Sequence, residues 1–317
     1  MSASGGTRAV IAALLANLGI AVTKFVAFGL TGSSSMLAEG IHSVADSGNQ
    51  VLLLVGGKRS RRAPTQQHPF GYGRERYIYA FIVSIVLFSV GGLFALYEGV
   101  HKVQHPEPID KWQWVPLAVL VIAITLESLS FRTAIGEANH LRSGVGWVAF
   151  VRHARAPELP VVLLEDFGAL IGLVFALFGV GLTLITDNGV WDGVGTLGIG
   201  ALLVCIAIVL AIETKSLVIG EAARPEQVAA IMAALDAAPG LDGVIHLRTM
   251  HLGPDELLVA AKIATAPGTS ARDIATAIDD AEARIRATVP IARVIYLEPD
   301  IDRGLSAGMS TGGSADG

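Results

Sequence analysis

Glu39, His42 and Asp46 stand within LAEGIHSVADSGNQ, Leu37 to Gln50, inside an otherwise apolar segment. An ionisable residue in a membrane span costs about 3 kcal/mol or more to insert, so it marks function by default. His42 and Asp46 are four residues apart, and a helix stacks them one turn apart on one face. An imidazole and a carboxylate so placed can share a divalent cation, because zinc and its neighbours accept nitrogen and oxygen ligands together. The competing reading is a buried hydrogen-bonded pair that only fixes helix packing. Glu39 is left between an access path and packing.

A second pair of acids, Glu165 and Asp166, interrupts PELPVVLLEDFGALIG. Neighbours on a helix point about 100° apart, so only one of the two can share a site with His42 and Asp46, and periodicity does not choose between them. Four residues before Asp166 stands Val162, so this segment does not repeat the His-xxx-Asp pair. The expected site is His42, Asp46 and one of Glu165 or Asp166, with water or a backbone carbonyl as fourth ligand. Glu127, in TLESLSF, lines a water-filled route or joins an interhelical hydrogen bond. His68, in the loop QHPFGYGRER, is a weaker candidate metal ligand. Asn17 and Lys24 read as structural residues, Asp192 as a helix cap and Cys205 as packing.

The elements that position these residues follow from composition. With 317 residues, 52% hydrophobic, 16% charged and a mean hydropathy of +0.57, the chain belongs in a membrane. About 20 apolar residues span a bilayer, which gives six spans near 8–30, 33–56, 77–100, 113–134, 159–185 and 192–218. Basic residues cluster after the second span (Lys58, Arg59, Arg61, Arg62, Arg74, Arg76) and after the fourth (Arg132, Arg142, Arg152, Arg155). By the positive-inside rule both termini are cytoplasmic, and the expected location is the plasma or inner membrane. A lone cysteine excludes a disulfide framework and a cysteine zinc cluster.

After Gly220 the pattern turns soluble. A helix opening at Pro225 is followed by strands near 244–252 and 257–265, a helix capped by Ser270 and Asp273, and a strand from Ala292 to Leu297. This is an αββαβ domain. From Arg224 to Arg303 twelve acids face eight bases, which argues against nucleic acid. His246 and His251 are five apart and point to opposite faces of a strand. The expected organisation is a tail over 1–7, a six-helix membrane domain over 8–220, a cytoplasmic domain over 221–303 and a disordered Gly- and Ser-rich tail over 304–317.

Six spans, the second-span stretch GSSSMLAEGIHSVAD, the loop HPFGYGRER and an αββαβ tail together resemble the cation diffusion facilitator family over nearly residues 8–300. The stretch from Arg132 to Asp166 further resembles the branch that includes the animal zinc transporter nine. The resemblance implies a six-helix bundle with a ferredoxin-like, metallochaperone-like tail domain, and a homodimer in the bilayer that exports zinc or a related cation by proton antiport. It also implies His42 and Asp46 as second-span ligands and Asp166 as the fifth-span ligand, with Glu165 second. Two departures matter. Val162 stands where relatives carry a further ligand, and Tyr72 stands where many carry a second loop histidine. The tail positions that bind zinc in some relatives correspond to Ala261, Tyr296 and Glu298.

The expected function is therefore export of a divalent cation, zinc first and Mn, Fe, Co or Ni as alternatives, with protons as counter-ion and no resident cofactor. Two other readings compete: a non-transporting sensor or partner subunit, and an intramembrane metal-dependent enzyme. No HExxH pairing supports the enzyme, so none is expected.

Overall fold

The structure, a computed structural model, describes residues 4–31, 34–106, 114–142 and 144–302, with the side chains of 4, 5, 31, 34–39, 41 and 42 not described. The expected tail over 304–317 and the side chains of Glu39 and His42 therefore lie outside the described residues. Two compact units emerge, Met1–Val218 and Ile219–Gly317.

The first unit is helical throughout. It comprises α1 (Ser4–Thr31), α2 (Ser34–Arg59), a third span of α3 (Glu75–Val86), a π segment (Leu87–Leu93) and α4 (Phe94–Gln104), then α5 (Trp114–Arg142), a short α6 (Trp147–Arg152), α7 (Glu158–Thr186) and α8 (Val190–Ile219). Among the described residues five helical segments are long and apolar enough to cross a bilayer, and α2 is not one of them. Its 26 residues reach about 39 Å at the helical rise, so length is not what it lacks. What lowers its hydropathy is the run of polar residues from Glu39 to Gln50. The chain is a multi-pass membrane protein, and α2 is its polar span.

Large apolar side chains point outward on the spans, Leu15, Leu30, Phe178 and Ile185 among them. That is the packing expected where the solvent is hydrocarbon. Small residues let helices close on each other. A Cβ built on Gly200 of α8 would lie 2.7 Å from the Leu96 backbone nitrogen of α4, so α4 and α8 meet backbone to backbone. Where α2 ends and α3 and α7 begin, Arg76 of α3 and Glu158 of α7 form a buried ion pair. Arg8 reaches Glu137 across α1 and α5 at 3.5 Å. Ser4 to Thr7, expected as a tail, instead form the first turn of α1, where Gly6 lies against the Glu158 side chain.

The second unit contains α9 (Pro225–Asp236), β1 (Gly243–Gly253), β2 (Glu256–Ala264), α10 (Ala271–Thr288) and β3 (Ala292–Asp300). The sheet order is β1-β2-β3, with β1 and β2 antiparallel and β2 and β3 parallel through the α10 crossover. Leu257, Val259, Ala261 and Ile263 alternate on one face of β2 and pack with Ile231, Leu235 and Ile285 of the helices. Ser270 caps α10 by accepting from the Asp273 backbone N–H at 3.3 Å. His251 is buried and His246 exposed, on opposite faces as their spacing predicts.

Candidate functional site

Three spans deliver the inward-facing acids. Asp46 comes from the middle of α2, Glu127 from α5, and Glu165 and Asp166 from the second turn of α7 onward. Glu127, Glu165 and Asp166 are buried, at 2%, 6% and 1% exposure. A cavity of about 220 Å³ runs among the spans and is lined by Lys24, Asp46, Glu98, Glu127, Glu165 and Asp192, with apolar residues between them. Glu127 lies within electrostatic reach of Asp166, Asp46 and Lys24, and Glu165 within reach of Asp46, Asp166 and Glu127. Like charges gathered in a low-dielectric cavity repel, so the cluster gains by taking up a cation, whether proton or metal ion.

Each acid is held differently. The Glu165 carboxylate accepts from Asn49 Nδ2 at 3.0 Å on one oxygen and from Gln50 Nε2 at 2.7 Å on the other. Asn17 Nδ2 of α1 in turn donates to Gln50 Oε1 at 3.3 Å, so an amide relay ties α1 and α2 to α7. Hydrogen bonds to a charged acceptor contribute about 1.5–3 kcal/mol each, which offsets part of the burial cost. Asp166 Oδ2 accepts from Ser130 Oγ of α5 at 2.7 Å. Glu127 Oε2 has no hydrogen-bond partner among the described residues. Lys24 Nζ donates to Ser43 Oγ of α2 at 2.9 Å, so this ammonium faces α2 within the bundle.

The structure thus gathers Asp46, Glu165 and Asp166 into one region, with His42 one turn before Asp46 on the same helix backbone. His68 is elsewhere: it is exposed on the loop, where its ring meets Tyr72 edge-on at 4.8 Å. Among the described residues no three His, Cys, Asp or Glu side chains converge closely enough to hold a metal ion as they stand.

Two expectations are corrected. Asp192 is not a cap, because α8 begins at Val190; it pairs with Lys102 at 2.9 Å at one end of the cavity. Cys205 is exposed on α8 rather than packed inside. The structural reading of Asn17 agrees with its place in the relay to Glu165.

Asn49, Gln50 and Ser130 were not singled out from sequence. Asn49 and Gln50 close the polar stretch of α2, and two carboxamides deep in a span are themselves a signal, since each must find a partner in hydrocarbon. Ser130 lies three residues after Glu127, on the same face of α5.

A cavity lined by acids inside a bundle of long apolar helices, with a mixed α/β domain following in the chain, defines a multi-pass membrane protein that carries acids among its spans. The chain belongs to the cation efflux family: its cation efflux transmembrane domain matches over residues 10–218, and its cation efflux protein cytoplasmic domain over residues 223–300. It is 32% identical over 242 residues to the human proton-coupled zinc antiporter SLC30A9, mitochondrial, covering 76% of this chain and 42% of that protein. It is 28% identical over 260 residues to metal tolerance protein C4 of Arabidopsis thaliana, covering 81% of this chain and 56% of the relative. A probable cation efflux system protein of Mycobacterium tuberculosis is 28% identical over 294 residues, 91% of this chain and 82% of its own. The chain thus spans about half the length of the human and plant relatives. The motif-level resemblance to cation diffusion facilitators, and to their zinc transporter nine branch, is shown by these matches.

Proposed function

We propose that this chain exports a divalent cation, zinc foremost, from the cytoplasm in exchange for protons. The carrying observation is the cavity among the spans that Asp46, Glu127 and Glu165 line, with Asp166 within electrostatic reach of the two glutamates. Kinship with a zinc antiporter supports the choice of metal and of counter-ion.

His42, Asp46 and Asp166 bind the cation, with Glu165 the second choice at the α7 position. A fixed geometric reason favours Asp166: both Glu165 oxygens are already engaged by amide donors, whereas Asp166 is held by a single hydroxyl. An imidazole with carboxylates suits zinc, and an all-carboxylate site would suit harder ions such as manganese. His68 stays outside this set, on the exposed loop.

Metal binding needs a neutral imidazole and ionised carboxylates, so loading expels protons. A more acidic compartment on the receiving side returns those protons and releases the metal. The two fluxes are coupled by competition for the same atoms, and alternating access carries the site between the two sides. The basic end of the bundle faces the cytoplasm, with both termini, and the second unit serves as a homodimerisation domain.

In proteoliposomes holding a zinc-sensitive dye under a pH gradient, the wild-type protein should show proton-driven zinc uptake. His42→Ala and Asp46→Ala should reduce it to the level of empty vesicles. Wild-type uptake by either variant would overturn the site.

A further inference from the structure

We propose that Glu127 of α5 is a direct ligand of the transported cation, supplying the fourth protein donor beside His42, Asp46 and Asp166. The inference rests on the site reading above and extends it to a helix that the motif does not include.

Four observations carry it. Glu127 is 2% exposed yet lines the 220 Å³ cavity. Its Oε2 has no hydrogen-bond partner among the described residues. A buried carboxylate oxygen left unsatisfied is costly, and on a side chain that lines a cavity it is one a cation drawn into that cavity can use. Glu127 is also within electrostatic reach of both Asp46 and Asp166, the two acids it would join. Finally, Ser130, one turn along the same face of α5, already holds Asp166, so α5 and α7 are tied at the level of the site.

The alternative donor, Glu165, is disfavoured by its surroundings. Asn49 and Gln50 take up both of its oxygens, and releasing either would strand an amide in the bundle. Glu165 is held in place by its amide donors, and Glu127 is the acid with an oxygen to give. A tetrahedral ion such as zinc asks for four donors, and His42, Asp46 and Asp166 provide three. In the structure the acids are near but not converged. A change of rotamer in the long Glu127 side chain, drawn in by the ion, completes the set.

The test is zinc chloride titration of the purified full chain in detergent by calorimetry, comparing wild type, Glu127→Gln and Asp46→Ala. Losing a supporting residue around a metal typically weakens binding 10–100-fold, so losing a direct ligand should cost at least about tenfold. Glu127→Gln keeps shape and volume. A merely structural role would lower its melting temperature and leave zinc affinity alone, and wild-type affinity in this variant overturns the proposal. If Asp46→Ala also bound zinc like wild type, the site reading itself would fail, a distinguishable outcome. A second measurement needs no variant: carbodiimide labelling of the wild-type protein, with the Glu127 peptide followed by mass spectrometry. Saturating zinc should protect Glu127, and undiminished labelling overturns the assignment even if Glu127→Gln does not fold.

Discussion

The bundle and the second unit keep opposite things inside. In the α/β unit, Ile231, Leu235, Leu257, Val259 and Ile263 fill the centre, and charged pairs such as Asp280 with Arg284 and Glu282 with Arg286 ride on the surface of α10. In the bundle, Phe178 and Ile185 point outward while Asn17, Asn49, Gln50, Glu165 and Asp166 are buried. In water, removing apolar area from solvent contributes about 25 cal/mol per Å². Between helices in lipid that gain is absent, because the tails are as apolar as leucine. Close packing, polar contacts and buried ion pairs must then hold the bundle together. The same choice of solvent makes the site possible, since acids gathered in low-dielectric surroundings exert their charge on a cation with less screening than in water.

The largest expected effect breaks the bundle at its buried ion pair. Removing one partner strands the other, at a cost of about 3–5 kcal/mol. Arg76→Ala should therefore lower the detergent melting temperature of the full chain steeply, with Glu158 left in place. A melting curve like the wild type's would show that helix packing alone carries the bundle. The next effect makes the same kind of cut in both regions. Leu257→Ala, at a fully buried position of β2, should cost about 2–5 kcal/mol and raise hydrogen exchange across the sheet. Ile185→Ala, at an 81% exposed position of α7, should leave melting nearly unchanged, because lipid or detergent fills the space. Equal losses at the two positions would break the contrast.

What could be read from the sequence divides along the same line. Five spans were legible because hydropathy reports what faces lipid, and α2 was legible for the opposite reason, through its polar residues. The αββαβ order was legible because alternation on β2 and helical spacing in α9 report what faces the core. The π segment at Leu87–Leu93 and the short α6 had no such signal: the first keeps an apolar composition throughout, and the second is six residues long. At the site, His42, Asp46 and the Glu165 and Asp166 pair could be named as chemistry, but periodicity could not separate the two α7 acids, and only the family resemblance put Asp166 first. Their difference lies in partners from α2 and α5, which no periodicity within α7 contains. Glu127 was visible as a costly acid, and its place beside Asp46 and Asp166 depends on how α5 docks.

The smallest effect belongs to the surface of the second unit, and it sharpens the contrast from that side. Lys262 of β2 donates to Asp300 at 2.8 Å and lies 3.3 Å from Glu298, both on β3. The hydrogen bonds to Asp300 and then Glu298 raise its ammonium above the ordinary lysine value of 10.5. A raised value means that the folded state holds the proton more tightly than the unfolded chain does. The stabilisation is therefore fully present below pH 10.5 and is lost as pH climbs through the raised value. Solvent and salt screen such a pair, so Lys262→Met should shift exchange in β2 and β3 peptides only slightly at neutral pH, and less still in high salt. The difference from wild type should then vanish in strongly alkaline buffer. If Lys262→Met instead loosened the sheet as much as Leu257→Ala, charge rather than apolar burial would hold this unit together. The two regions would then share one principle of stability instead of two.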